Sequence, residues 1–300
     1  MVTPSYLKPG DKVAFIAPAR KVTKRELHTA YKILTNWGLQ VIDTHLLFEE
    51  HHQLAGDTQT RTRQVQQCLD NHELKALFCV RGGFGTSKII DDLNFDQLIE
   101  HPKWLIGFSD ITILLCKLFN INMQSIHADV ALLLGQKGGE DTSSQLKQIL
   151  FGQSKQKIKA PHHPLNQLGS TTATAVGGNL SVLVDQIGTN SFPNLENCIL
   201  FIEDLDEYLY HIDRLITHLD RIRVFSQIKG LVIGYMSDMH DNKIPYGHNT
   251  YEIIYQTISK YNIPVAFNIP IGHEANNQPI IIGGEMHLNV QKTGTTFENI

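Results

Sequence analysis

Short apolar, β-branched runs alternate with longer segments of helical periodicity in the first half of the chain. The strand-like runs are KVAFIAPA, LQVIDTH, ALFCV and WLIGFSD, and helical spacing appears near residues 24–37, 60–71 and 86–93. Such alternation is typical of βα units, which build a parallel sheet covered by helices. The pattern predicts an α/β fold with a parallel sheet in the N-terminal part.

The pattern changes near the middle of the chain. Residues 152–174 are polar and show little apolar periodicity, which is typical of a linker. Beyond them, strand-like runs (CILFIED, GLVIGYM, VAFNIPIGH and HLNVQ) alternate with helical segments near 210–219 and 250–259. We predict an N-terminal domain over 1–155, a linker over 156–174 and a smaller mixed α/β domain over 175–300.

Composition restricts the possible partners and the compartment. Lys and Arg number 26 against 30 Asp and Glu, a net charge of -4, so no basic surface for nucleic acid is expected. The first apolar run is too short for a signal sequence or a membrane span. No CxxC pair occurs, and we predict a cytoplasmic protein whose four cysteines are buried free thiols: Cys68, Cys79, Cys116 and Cys198.

The stretch KWLIGFSD, followed by ITILLCKLF, places Ser109 in a turn between a strand and a helix. Ligands of open α/β sheets lie beyond the carboxyl ends of the strands, so such a serine faces a potential site. Gly107 relieves crowding, and the amide of Asp110 would lie at the helix N-terminus, as in a nucleophile elbow. Ile111 replaces the second glycine of that motif, and the alternative is that Ser109 or Asp110 caps the helix.

A second turn, RGGFG over residues 81–85, also follows a strand. Its glycines would let backbone amides approach a ligand. The spacing fits neither a dinucleotide fingerprint nor a Walker loop, so no cofactor is predicted. The turn is either a tight connection or a loop that presents an N–H group to the neighbouring serine turn.

A serine nucleophile needs a base and an acidic partner for that base. His273 follows the run VAFNIP, and Glu203 ends the apolar run CILFIE, where a carboxylate requires a specific partner. Ordinary loop or capping roles are the alternative for each residue.

Several stretches in a fixed order resemble the LD-carboxypeptidases, a serine peptidase family that includes the microcin C self-immunity proteins. They are AGDTQTRTRQVQ, KALFCVRGGFGTSKIIDDL, HPKWLIGFSDIT, AVGGNLSVLVDQIGT, ILFIEDLDEYLYHIDRLI and NIPIGH. The resemblance implies a flavodoxin-like N-terminal domain and a site at the interface with the C-terminal domain. It also implies a homodimer. We expect neither a metal nor a cofactor.

The resemblance further implies a Ser109–Glu203–His273 triad with oxyanion amides from Gly83 and Asp110. Family members release terminal D-alanine from cytoplasmic murein tetrapeptides, so a small cell-wall peptide is the expected substrate. Its terminal carboxylate requires a cationic or amide-rich partner, and we consider Arg81, Arg214 and the glycine-turn amides.

The chain departs from the family pattern at three places: His211 in YHIDR, the run His127-Ala128-Asp129 after the nucleophile helix, and IIIGG near the C-terminus. None of them is a predicted triad residue.

Two other functions compete with the carboxypeptidase. A self-immunity hydrolase would cleave an amide of a peptidyl or aminoacyl nucleotide and would favour an aromatic platform for the base. Trp37 and Trp104 lie in the N-terminal half, away from Glu203 and His273, although Phe192 or Tyr208 could stack. A non-catalytic wall-peptide binder would have no need of all three predicted triad residues.

Overall fold

The computed structural model describes residues 1–136 and 139–300. The strands are β1 Lys12–Ile16, β2 Gln40–Ile42, β3 Leu74–Cys79, β4 Trp104–Gly107, β5 Ser125–His127, β6 Lys157–Ala160, β7 Gly169–Asn179, β8 Ile199–Leu205, β9 Gly230–Ser237, β10 Val265–Ala266, β11 Ile280–Ile282, β12 Glu285–Gln291 and β13 Gly294–Asn299. The helices are α1 His28–Asn36, α2 Thr58–Asp70, α3 Asp96–Glu100, α4 Thr112–Asn120, α5 Glu140–Leu150, α6 Leu180–Asp185, α7 Leu209–Arg221, α8 Val224–Gln227 and α9 Thr250–Ile258.

The first sheet has the order β11-β5-β4-β3-β1-β2. Strands β1 to β5 pair in parallel, and β11 adds an antiparallel edge. This confirms the α/β fold with a parallel N-terminal sheet. The carboxyl ends of β3 and β4 therefore lie side by side, so the turns that follow them meet at one edge.

The second sheet has the order β10-β9-β8-β7-β12-β13-β6. Strands β7 to β10 pair in parallel, whereas β12, β13 and β6 pair antiparallel. This sheet confirms a mixed α/β architecture in the second half of the chain.

Two local predictions need correction. Residues 156–174, expected to be an irregular linker, contain β6 and the first part of β7. The β-branched threonines of GSTTATA suit an extended strand, but its largely exposed face removes the apolar alternation. Residues 86–93, expected to be helical, form two short 3₁₀ turns, Thr86–Lys88 and Ile90–Asp92. The domain limits at 155 and 175 stay a prediction, and β11 joins the first sheet from beyond them.

One apolar core connects the two sheets. Helix α4, which follows the serine turn, packs against β7, and a Cβ added to Gly178 would lie 2.4 Å from the Thr112 Oγ1 atom. That hydroxyl accepts a hydrogen bond from the Asn179 amide at 3.1 Å. The start of α4 is thus fixed against the end of β7, which brings the serine turn toward the second sheet.

The cysteine prediction is confirmed, because all four thiols are free and buried. Burial raises the pKa of Cys68 and Cys116 to about 12 and that of Cys198 to about 11. In residues 1–136 and 139–300, no helix is both long and apolar enough to cross a membrane.

Candidate active site

The serine turn has the geometry of a strained strand-to-helix connection. Strand β4 ends at Gly107, Ser109 adopts a left-handed backbone with φ of 64°, and a 3₁₀ turn over Ser109–Ile111 leads into α4. A non-glycine residue in this region costs of order 1–3 kcal/mol and marks functional sites. A Cβ on Gly107 would lie 2.9 Å from the Ile111 Cγ2 atom, so the predicted need for glycine there is confirmed.

The side chain of Asp110 connects the serine turn to the glycine turn. Its Oδ2 atom accepts hydrogen bonds from the Thr86 amide at 3.0 Å and the Thr86 hydroxyl at 2.6 Å. Burial raises the pKa of Asp110 despite these hydrogen bonds. In the described part of the chain, neither Ser109 nor Asp110 caps α4 with its side chain, so the capping alternative is wrong.

The glycine turn lies directly against Ser109. A Cβ on Gly82 would be 3.4 Å from the Ser109 Oγ atom and 3.5 Å from the Asp110 nitrogen. The buried Arg61 holds the far end of this turn, because its Nη1 atom donates to the Gly85 carbonyl at 2.7 Å and to the Pro18 carbonyl at 2.6 Å. Of the two alternatives for RGGFG, this contact favours a loop that borders the serine.

Glu203 and His273 form a hydrogen-bonded pair. The Glu203 Oε2 atom lies 2.6 Å from the His273 Nδ1 atom, and the side chains are 0% and 12% exposed. Glu203 lies inside β8, at a register shift between Ile202 and Asp204, rather than at the strand end. Such bulges redirect side chains near active sites. His273 lies in a loop well beyond β10, which ends at Ala266.

Glycines leave the space that Glu203 occupies. A Cβ on Gly272 would lie 2.9 Å from the Glu203 Oε2 atom, and one on Gly234 would lie 3.1 Å from the Glu203 Cβ atom. Gly272 has φ of 122°, which L side chains rarely adopt. Sequence analysis missed both positions, although a glycine directly before a candidate histidine was a visible signal.

The electrostatic surroundings set the proton affinity of His273. Burial alone would lower its pKa, but the charge and hydrogen bond of Glu203 together with the charges of Asp204 and Asp129 outweigh burial, so the pKa of His273 is raised. Burial, together with the adjacent Glu203, raises the pKa of Asp204 to about 7. Burial likewise raises that of Asp129 to about 6. Three carboxylates therefore influence the imidazole, and one of them, Glu203, contacts it directly.

His127, in the run that departs from the family pattern, is a buried neighbour of this cluster. Its ring lies between Phe108 and Phe201, with centroid separations of 5.8 and 5.2 Å. Burial lowers its pKa to about 4, so it is neutral near pH 7. Both of its ring nitrogens and the Glu203 Oε1 atom are buried without a hydrogen-bond partner in the described residues.

Phe108 connects the two halves of the site. Its ring lies 4.7 Å from that of His273, and the next residue is the half-buried Ser109. No hydrogen bond joins Ser109 to His273 among residues 1–136 and 139–300. Catalytic hydrogen bonds often tighten only when substrate binds. A cavity of about 190 Å³ adjoins the imidazole, lined by Asp129, Leu133, Gln136, Gly139, His273, Glu274 and Ala275.

The other predicted contact residues have partners of their own. An Arg81 Nη1 atom lies 3.9 Å from a Glu26 carboxylate oxygen, and the Arg214 guanidinium lies 5.3 Å from the Tyr210 ring centroid. His211, on α7, pairs with Glu207, which precedes that helix. In the described residues, no group of three or more His, Cys, Asp or Glu side chains is arranged to hold a metal ion.

Comparison with known proteins adds to this geometry. Residues 13–128 match the family model of the LD-carboxypeptidase N-terminal domain, and residues 172–288 match that of the C-terminal domain. A "probable murein peptide carboxypeptidase" of Bacillus subtilis is 31% identical over 306 residues, covering 98% of this chain and 94% of that protein.

Solved structures share the fold. A muramoyltetrapeptide carboxypeptidase from Oxalobacter formigenes superposes with a TM-score of 0.87 at 24% identity, covering 96% of this chain and 98% of that one. The microcin C7 self immunity protein MccF, in complex with aspartyl sulfamoyl adenosine, gives a TM-score of 0.87 at 18% identity, covering 100% and 99%.

Proposed function

Because the chain belongs to the LD-carboxypeptidase family, we propose that it hydrolyses the L,D-peptide bond that releases terminal D-alanine from murein tetrapeptides. One observation carries the proposal: a serine in a strained left-handed turn borders a glycine turn, and the preceding residue, Phe108, lies against the imidazole of a buried Glu–His pair. The name of the Bacillus subtilis relative supports the substrate class.

In this mechanism, Ser109, Glu203 and His273 act as a triad. His273 accepts the Ser109 proton as the hydroxyl attacks the scissile carbonyl, and Glu203 orients the ring through the 2.6 Å contact. His273 then donates that proton to the departing D-alanine amine, and water hydrolyses the acyl-enzyme. The raised pKa of His273 suits proton acceptance in this first step.

The amides of Gly83 and Asp110 are the proposed oxyanion donors. The glycine turn borders the Asp110 nitrogen, and the Thr86–Asp110 hydrogen bonds fix one turn relative to the other. Donors held in place before the reaction stabilise the developing negative charge without reorganisation.

We also propose that the enzyme is a cytoplasmic homodimer. The free, buried cysteines agree with a reducing compartment. The dimer rests on the family resemblance, and light scattering of the purified protein tests it.

The function is tested by incubating the protein with murein tetrapeptides that carry lysine or diaminopimelate at the third position. Mass spectrometry should detect D-alanine released by the wild type, and the Ser109→Ala variant should retain almost no activity. Retention of more than a few per cent of the wild-type rate would refute the nucleophile.

An aminoacyl sulfamoyl adenylate is the comparison substrate. Cleavage of this compound alone would assign the protein to the self-immunity function. Trp104, a potential platform for the base, is buried in the N-terminal core, where its Nε1 atom donates to the Ser5 carbonyl. Binding of the tetrapeptides without any turnover would identify a non-catalytic wall-peptide binder.

A further inference from the structure

Arg20 lies at the same sheet edge as the proposed nucleophile. It follows β1, which pairs with β3, and β3 leads into the glycine turn. An isolated bridge between Arg20 and Leu54 and the hydrogen bond from the Ala55 amide to the Ala19 carbonyl, at 3.1 Å, fix its backbone. The side chain therefore starts from an anchored position beside the site.

The Arg20 side chain lies over the backbone of the glycine turn. A Cβ added to Gly83 would be 2.6 Å from the Arg20 Cδ atom and 2.7 Å from its Nε atom. A Cβ added to Gly82 would be 3.4 Å from the Ser109 Oγ atom. One turn of backbone thus separates the guanidinium group from the nucleophile.

This guanidinium group has unused hydrogen-bonding capacity. Its Nε atom is buried without a hydrogen-bond partner, and no carboxylate forms an ion pair with Arg20 in the described part of the chain. An arginine has only donors, and buried donors are normally paired. A planar, bidentate anion would supply the missing acceptors.

A carboxypeptidase substrate brings such an anion to this place. The terminal carboxylate follows the scissile nitrogen by a single Cα atom, so its carbon lies within about 4 Å of the scissile carbonyl carbon, given standard bond lengths. A cation that binds it must lie next to the serine.

We propose that Arg20 binds the terminal carboxylate of the substrate and so selects peptides with a free C-terminus. This inference rests on the proposed carboxypeptidase function. Arg20 suits this role better than the two arginines considered above. Arg81 lies near the Glu26 carboxylate, and Arg214 is exposed and lies over the Tyr210 ring.

The test compares a tetrapeptide that ends in D-alanine with the same peptide that ends in D-alaninamide. Because the Arg20 guanidinium would bind the carboxylate through charged hydrogen bonds, the wild-type kcat/KM should be roughly 10- to 100-fold higher for the acid than for the amide. In Arg20→Gln the acid-to-amide ratio should fall to near one, while hydrolysis of the amide stays within about threefold of wild type. Arg20→Lys should restore part of the ratio, since it keeps the charge but not the bidentate geometry.

Lys21→Gln is the matched control, because it removes the same charge one residue away. The Lys21 ammonium is paired with the Glu50 carboxylate at 2.6 Å, so the control should keep the wild-type ratio. An equal loss of acid and amide hydrolysis in Arg20→Gln would overturn the proposal, since it would indicate a structural role in the glycine turn.

A binding measurement separates this inference from the proposed function. If the wild type releases D-alanine from neither peptide, the carboxypeptidase function fails. Saturation-transfer NMR with N-acetyl-D-alanine and its amide then tests Arg20 directly. Acid-selective binding that disappears in Arg20→Gln supports the carboxylate site, and equal binding of both compounds by the wild type overturns it.

Discussion

In the serine turn, the backbone conformation positions the Ser109 side chain. In the Glu203–His273 pair, burial and charge position the two side chains. The first region is a continuous stretch from β4 through the left-handed Ser109 to α4. The second joins residues 70 positions apart, one at a strand bulge and one in a loop. The serine turn is thus a local structure, whereas the Glu203–His273 pair depends on how distant segments pack together.

The two regions also differ in how they respond to pH. The serine turn depends on one buried carboxylate, Asp110, which has a neutral donor in Thr86. His273 instead interacts with three carboxylates, Glu203 and Asp204 of β8 and Asp129 of the first half of the chain, and these together raise its pKa. Substitutions in the second region should therefore shift the pH profile, and substitutions in the first should change the rate or the stability.

Apart from replacement of the proposed nucleophile, the Glu203→Gln substitution should have the largest effect. It removes the charge that opposes burial, so the pKa of His273 falls, and kcat should drop by roughly 10²–10⁴. The imidazole must be neutral to accept a proton, so wild-type kcat/KM rises with pH through a midpoint above 6.5. The variant midpoint should lie lower.

pH–rate profiles of both enzymes measure this shift. Glu207→Gln is the control, because Glu207 also pairs with a histidine, His211, on α7. An equal shift of the acidic limb of the pH–rate profile in both variants would contradict the role of Glu203.

Gly83→Ala tests the first region and should have the next largest effect. The new Cβ would lie 2.6 Å from the Arg20 Cδ atom, at φ of 105°, so the turn must shift and the proposed oxyanion donor with it. Loss of one such donor typically lowers kcat roughly 10²–10³-fold. Gly10 is the control, because it has a similar positive φ and a Cβ added there would have no atom within 4 Å. Gly10→Ala should therefore lower the stability but leave kcat unchanged.

Thr86→Val should mainly affect stability. It removes the hydroxyl that donates to Asp110 at 2.6 Å, and the free energy of unfolding should fall by about 1–3 kcal/mol at neutral pH. Burial already raises the folded-state pKa of Asp110, so the group's contribution to stability is lost as pH rises through that pKa. Without the Thr86 hydroxyl, the folded-state pKa of Asp110 should rise further. The substitution should therefore lower the free energy of unfolding less in acid, where Asp110 is protonated.

Urea unfolding at several pH values measures this difference. Thr62→Val is the control, because the Thr62 hydroxyl donates to a carbonyl on an exposed helix face. Equal destabilisation of both variants at every pH would argue against the Asp110 contact.

Asp129→Asn should have the smallest effect. Asp129 contributes least among the carboxylates that raise the pKa of His273, so the acidic limb of kcat/KM should move to lower pH by less than about one unit. Asp206→Asn, at an exposed carboxylate paired with His240, should leave the limb unchanged. A limb that moves upward would contradict the proposed electrostatics.

Sequence patterns predicted the parts of the fold that neighbouring residues encode. The strands β1 to β4, the turn at Ser109 and the need for Gly107 all depend on local periodicity or local crowding. Within 156–174, the alternation of β6 covers only the four residues KIKA, which is too short a run to stand out. The first part of β7 is rich in exposed threonines and gives no apolar alternation.

The candidate site likewise contains local turns that the sequence predicts and long-range contacts that it does not. By itself the sequence determined a strand-to-helix serine turn and a glycine turn at the same sheet edge, because both are local backbone structures. Only the tertiary structure decided that Glu203 contacts His273, that Arg61 and Asp110 fix the glycine turn, and that His127 lies beside the pair. Contacts between distant segments depend on how two sheets pack over a shared core, and no short stretch of sequence contains that information.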